Sequence, residues 1–133
     1  MANKREYAAA NKRWLEEKSQ EEGVKALPKG IYYKVLAEGK NDGVHPSPRS
    51  IVTAHYTGRT IDGRLFDSSR GEAVNFPVMA VVPGFREMLL MMRPGAKARC
   101  IIPGNLAYGE RGNQGIAPNE TLVFDIETVG LAK

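Results

Sequence analysis

The chain has one cysteine, Cys100, among its 133 residues. An internal disulfide framework and an all-cysteine metal site are therefore excluded. Histidine is also scarce: His45 and His55 stand ten positions apart, with no cysteine or carboxylate cluster to complete a ligand set. Neither a structural zinc nor a catalytic metal is expected. No apolar run reaches the ~18 residues that suggest a membrane helix, and residues 1–15 hold no hydrophobic signal region. The compartment stays open: cell envelope or periplasm if an export segment has been removed, cytoplasm otherwise. A long run of one charge is missing too. The formal net charge is +4, but Lys and Arg alternate with Asp and Glu, which describes an ordinary charged surface and no nucleic-acid stripe.

Motifs of covalent chemistry are equally absent. GERGNQG lacks both the spacing and the terminal Lys-Ser or Lys-Thr of a phosphate loop, and no dinucleotide fingerprint follows a first strand. Ser68 and Ser69 lie beside Asp67, yet no motif places a histidine base near them. What the chain does have is a set of ring-bearing residues, Tyr56, Phe66, Phe85, Tyr108 and Phe124, each on or beside an expected strand, turn or helix start. All four phenylalanines, Phe66, Phe76, Phe85 and Phe124, lie from the middle of the chain onward. That distribution suggests a lined pocket more than a nucleophile and its base.

The length suits one domain with a short appendage. Residues 4–22 lack Pro and Gly and contain strong helix formers. Tyr7, Ala8, Ala10, Trp14 and Leu15 share one side of a helical period, with the polar Asn11 interrupting the stripe. Docking on its own domain, pairing with another copy and standing out as an exposed arm are all open to such a helix. Gly23 and then Pro28 and Gly30 end it, giving a helical extension and linker over 1–27 and a main domain over 28–133.

The main domain reads as strands joined by polar turns. Strands are expected over Ile31–Leu36, Ile51–Tyr56, Ala73–Val78, Lys97–Ile102 and Thr121–Val129, with a turn-rich loop over Glu38–Pro48. Thr57-Gly58 and Asp62-Gly63 bracket a hairpin return toward Leu65, Phe66 and Asp67. Pro77 argues for an edge or a bulge. Phe85, Met88, Leu89 and Met92 recur at helical spacing after Pro83-Gly84, and Pro94-Gly95 stops that helix. Cys100 alternates with Ala98 and Ile102, as a buried structural thiol would. The fold class is α+β: a twisted antiparallel β-sheet curled around a short α-helix, with an additional N-terminal helix.

Six ordered blocks between residues 51 and 128 carry a more specific signal: VTAHYTG, DGRLFDSS, VVPGFREML, PGAKARCIIP, LAYGERG and GIAPNETLVFDIE. Together they resemble the catalytic domain of FK506-binding-type peptidyl-prolyl cis-trans isomerases. The upstream GVKALPKGIYYKVLAEG resembles the linker and first strand of bacterial members with an N-terminal helical extension. The resemblance implies rotation of Xaa-Pro peptide bonds in proline-containing polypeptides, a role in assisting protein folding, no cofactor, and binding of macrolides such as FK506 and rapamycin. A homodimer through the N-terminal helix is a further possibility for the extension.

The same resemblance distributes the roles. Phe85 corresponds to the pocket floor, where Trp is usual. Tyr56, Phe66 and Phe124 correspond to walls, Val81 and Val82 to the rim, and the Val82 amide to a donor for a ligand carbonyl. Val74 aligns approximately with a larger wall residue, and Ile116 with an apolar residue at a loop tip. Asp67 is implied beside the rotating carbonyl, in an electrostatic and orienting role, with Arg70 only an uncertain partner. The Tyr108 hydroxyl is implied as a hydrogen-bond donor to the carbonyl before proline. Asn113 stands where small eukaryotic members often have histidine. Asp67, Tyr108 and Phe85 are thus the expected catalytic group. The rival reading is a noncatalytic proline-peptide-binding or assembly module that keeps the cavity.

Overall fold

In the computed structural model, residues 4–27, 30–39, 46–69, 71–112, 116 and 119–132 are described. Helix α1 spans Lys4–Ser19. It forms because this stretch is free of Pro and Gly and rich in Ala, Glu, Lys and Arg. It stops three residues earlier than the sequence pattern suggests. The Ser19 hydroxyl donates to the Glu16 carbonyl at 2.7 Å, and Gly23 takes a left-handed φ of 85° just beyond.

The expected linker contains a strand that hydropathy does not announce. β1, Val24–Ala26, pairs antiparallel with β2, Tyr32–Ala37. The end of the extension is thereby woven into the sheet, ahead of the boundary drawn at residue 28.

The remaining strands are β3 (Ile51–Thr60), β4 (Leu65–Ser68), β5 (Val74–Pro77), β6 (Lys97–Ile102) and β7 (Leu122–Ala132). The antiparallel order is β1-β2-β6-β7-β3-β4, with β5 also on β3. One edge of β3 is shared: β5 covers Ile51–Ala54 and β4 covers Thr57–Arg59. β3 therefore continues past Thr57-Gly58, where the sequence suggests a turn already begun. Glycine fits there because a Cβ on Gly58 would stand 2.7 Å from Phe66 and 2.8 Å from Phe124. The bare backbone lets those two rings meet across the strand.

Helix α2 spans Pro83–Met91. Proline at its first turn gives up no helical hydrogen bond and presets φ. Its buried face, Phe85, Met88 and Leu89, packs with Val52, Ala54, Ala98, Cys100, Ile102, Leu122, Phe124 and Ile126 of the sheet in a single apolar core. Gly84 sets how close the helix comes, since a Cβ there would lie 2.3 Å from Ile102 Cγ2. On the opposite face of β6, Ile101 is also buried; it borders, with Trp14 and Val123, the crevice beneath α1. Burial pushes the Cys100 thiol strongly up, so it stays neutral. Among the described residues, no helix is long and apolar enough to cross a membrane.

Candidate functional site

Phe85 occupies the first turn of α2, held against the sheet by the contact at Gly84. Its ring is nearly fully buried and meets three others: Tyr56 at 6.1 Å and 89°, Phe76 at 5.7 Å and 51°, and Phe124 at 5.0 Å and 88°. Tyr56 and Phe76 touch each other at 5.2 Å, edge to face. These mostly perpendicular arrangements suit the ring quadrupoles and leave a gap that no described side chain fills. The gap is a recess of about 290 Å³ lined by Tyr56, Asp67, Phe76, Ala80, Val81, Val82, Phe85, Tyr108 and Phe124.

Polar groups gather at one side of it. Asp67 lies near the end of β4, where Ser69 is tied to β3: its amide donates to the Tyr56 carbonyl at 3.0 Å, and the Tyr56 amide donates to its hydroxyl at 3.1 Å. The Asp67 carboxylate accepts the Ser68 amide at 2.9 Å and the Tyr56 hydroxyl. Burial, then that hydrogen bond and the Asp67 charge, push the Tyr56 phenol up to about 12. Tyr108 stands at the entry of a 3-10 turn, Gly109–Arg111, half-buried against the core. It is close enough to Tyr56 for its phenol to act on the same titration.

Of the residues singled out from the sequence, Tyr56, Asp67, Val81, Val82, Phe85, Tyr108 and Phe124 meet at this recess. Phe66 lies one ring further out, edge to face on Phe124 at 5.5 Å. Ile116 is buried in the core without bordering the recess. Val74 does not border it either. It is 38% exposed on the edge strand β5, and two residues on, Phe76 supplies the wall. The motif blocks do not mark Phe76 and Ala80 as site residues, although the alternation of Phe76 and Val78 with Asn75 and Pro77 points to the first of them. Arg70, Asn113, Gly115 and His45 lie outside the described residues.

Other crevices of about 250 Å³ open between β2 and the end of α2 and beneath α1. They lack the converging rings. Among the described residues, no three of His, Cys, Asp and Glu gather as metal ligands. The recess has the size and lining to hold a compact apolar ring, with one carboxylate, Asp67, and two phenols, Tyr56 and Tyr108, in its wall.

Comparison with known proteins places the chain in a family. A family model described as FKBP-type peptidyl-prolyl cis-trans isomerase matches residues 43–129. The chain is 45% identical over 123 residues to the FKBP-type 22 kDa peptidyl-prolyl cis-trans isomerase of Escherichia coli, covering 90% of this chain and 59% of that protein. The crystal structure of FkpA from Escherichia coli superposes with a TM-score of 0.88 at 40% identity, over 94% of this chain and 59% of that one. The crystal structure of the peptidyl-prolyl cis-trans isomerase PPIase from Pseudomonas syringae gives a TM-score of 0.90 at 32% identity, over 100% and 98% of the two chains. The chain spans about half the length of the curated relatives it matches.

Proposed function

The chain belongs to the FKBP-type peptidyl-prolyl cis-trans isomerase family, and we propose that it accelerates cis-trans exchange at Xaa-Pro bonds without any covalent intermediate. Conjugation keeps the peptide C–N bond planar, with a barrier of ~18–20 kcal/mol. At the twisted state that conjugation is lost and charge separation falls. A site speeds rotation only by holding the twisted form more strongly than either planar isomer. A dry apolar recess does so, because it penalises the more polar planar amide.

Phe85 supplies the floor for the pyrrolidine ring, and Tyr56, Phe76 and Phe124 the walls. The Tyr108 hydroxyl and the Val82 amide hold carbonyls of the substrate backbone. Asp67 orients the Tyr56 hydroxyl and sets the field beside the rotating carbonyl; no proton transfer is required of it. Phe66 backs this arrangement through Phe124, Ile116 belongs to the core beyond the recess, and Val74 stands outside it. The observation that carries the reading is the meeting of four rings around one recess, with Asp67 and Tyr108 also in its lining.

The substrates are proline-containing polypeptides, with an apolar residue before proline favoured by Val81 and Val82. Folding assistance follows, since proline isomerisation is a slow folding step. FK506 or rapamycin would occupy the same recess, with the phenyl floor offering less contact than an indole. Tyr7, Asn11 and Trp14 of α1 are engaged with their own domain, which supports a single copy over a homodimer through this helix. A cis-to-trans exchange assay over a Xaa-Pro peptide series, with and without FK506, tests the reading. Acceleration greatest for apolar Xaa and blocked by FK506 is expected. Binding of the peptides with no acceleration would leave a noncatalytic proline-binding module in its place.

A further inference from the structure

The segment that carries Tyr108 returns to the sheet through Asn119, Glu120 and Thr121, and α1 grips this return. Asn11 is only 3% exposed. Its side-chain Oδ1 accepts the Thr121 amide at 2.9 Å, and its Nδ2 donates to the Tyr7 carbonyl at 2.8 Å. The Tyr7 hydroxyl donates to the Glu120 carboxylate, whose buried side chain lies 3.6 Å from the Arg64 guanidinium.

One residue before, Asn119 holds a left-handed φ of 57°. Its amide donates to the carbonyl of Gly109 at 2.8 Å, and Gly109 directly follows Tyr108. From Asn11 to Tyr108 the connection is therefore continuous: a side-chain hydrogen bond, three bonded residues and one backbone hydrogen bond. Asparagine adopts this conformation more readily than most residues, and here its own amide is bonded to Gly109 while the next residue, Glu120, is bonded to Tyr7.

The choice of residue matters. A buried amide must be fully paired or it destabilises the site, so an apolar side chain would dock a helix with less to satisfy. The amide adds something an apolar contact lacks, a fixed position for the 119–121 backbone.

We propose that Asn11 is a positioning residue for the isomerisation: by holding residues 119–121 it sets the place of Gly109, and with it the Tyr108 hydroxyl at the recess. This rests on the function proposed above for that recess. It makes α1 part of the working site although no described α1 side chain lines the cavity.

A double-mutant cycle on the full chain tests it, with Asn11→Ala, Tyr108→Phe and the pair assayed for kcat/KM on a Xaa-Pro peptide. Contacting or network-linked residues are coupled in such cycles. Asn11→Ala alone should lower kcat/KM about 5-fold, and less than about 2-fold once the Tyr108 hydroxyl is gone. Tyr7→Phe keeps the ring, removes the donor to Glu120 and should give the same pattern at smaller size; it carries the test if Asn11→Ala does not fold. Amide hydrogen exchange supplies a readout independent of activity. The Asn119 amide should exchange faster in either variant, while those of Cys100 and Phe124 in the central ladder stay protected. Additive losses in the cycle, or unchanged Asn119 exchange, would overturn the proposal. Should the unaltered chain fail to accelerate exchange, the isomerase reading falls, and the Asn119 result still decides whether Asn11 holds the loop.

Discussion

Three rings lie within 6.1 Å of Phe85, so truncating it both opens the core and removes the floor. Phe85→Ala should cost about 3–5 kcal/mol of stability, read by urea denaturation. Its loss of exchange activity should exceed that of Tyr108→Phe, which removes one hydrogen bond of about 0.5–1.5 kcal/mol. The phenols predict a pH dependence. Tyr7 and Tyr56 are both pushed up to about 12, in each case first by burial and then by a hydrogen bond to a carboxylate, Glu120 or Asp67. An unfolded tyrosine ionises near ~10. The folded state thus keeps its phenolic protons longer, and the stability they contribute is intact below about pH 10 and lost as pH rises toward 12. Denaturation midpoints that stay flat across this window would contradict it. At this scale much of the site was legible: the ordered motifs pick out Tyr56, Phe85, Tyr108 and Phe124. Asn11 was not. Hydropathy assigns an amide to solvent, whereas its partner, the Thr121 backbone, lies 110 positions away.

Among the elements, α2 is positioned by a missing side chain. A Cβ on Gly84 would collide with the branched, fully buried Ile102, which has no free end to swing aside. Gly84→Ala should therefore lift α2 from β6 and cost about 1–3 kcal/mol by overpacking; thermal denaturation measures it, and lost activity should accompany the lost stability because Phe85 moves with its helix. The Asp62-Gly63 hairpin and the Pro94-Gly95 stop were readable locally, since turn chemistry is local. The true length of β3 was not. Its continuation through Thr60 is decided by ten register partners on β7, and strand propensity yields to such pairing. β1 is silent in the sequence for the same reason, being three residues that form a strand only because β2 is there to pair with.

For the molecule as a whole, α+β class and the sheet-around-helix arrangement follow from the motif order. The placement of β7 between β3 and β6 depends on contacts across most of the chain. α1 joins this body through Asn11, Tyr7 and the crevice at Trp14, so these three residues are already engaged within one copy. Sedimentation should accordingly give one species of 14.6 kDa, with dimer mass the contrary result. The chain's single tryptophan, Trp14, sits on this clamp beneath the Lys18 ammonium at 5.5 Å, while the recess floor is phenyl. Indole emission is therefore a poor gauge of ligand entering the recess. It reports instead on the helix leaving the sheet, so a fluorescence titration follows the brace and not the guest.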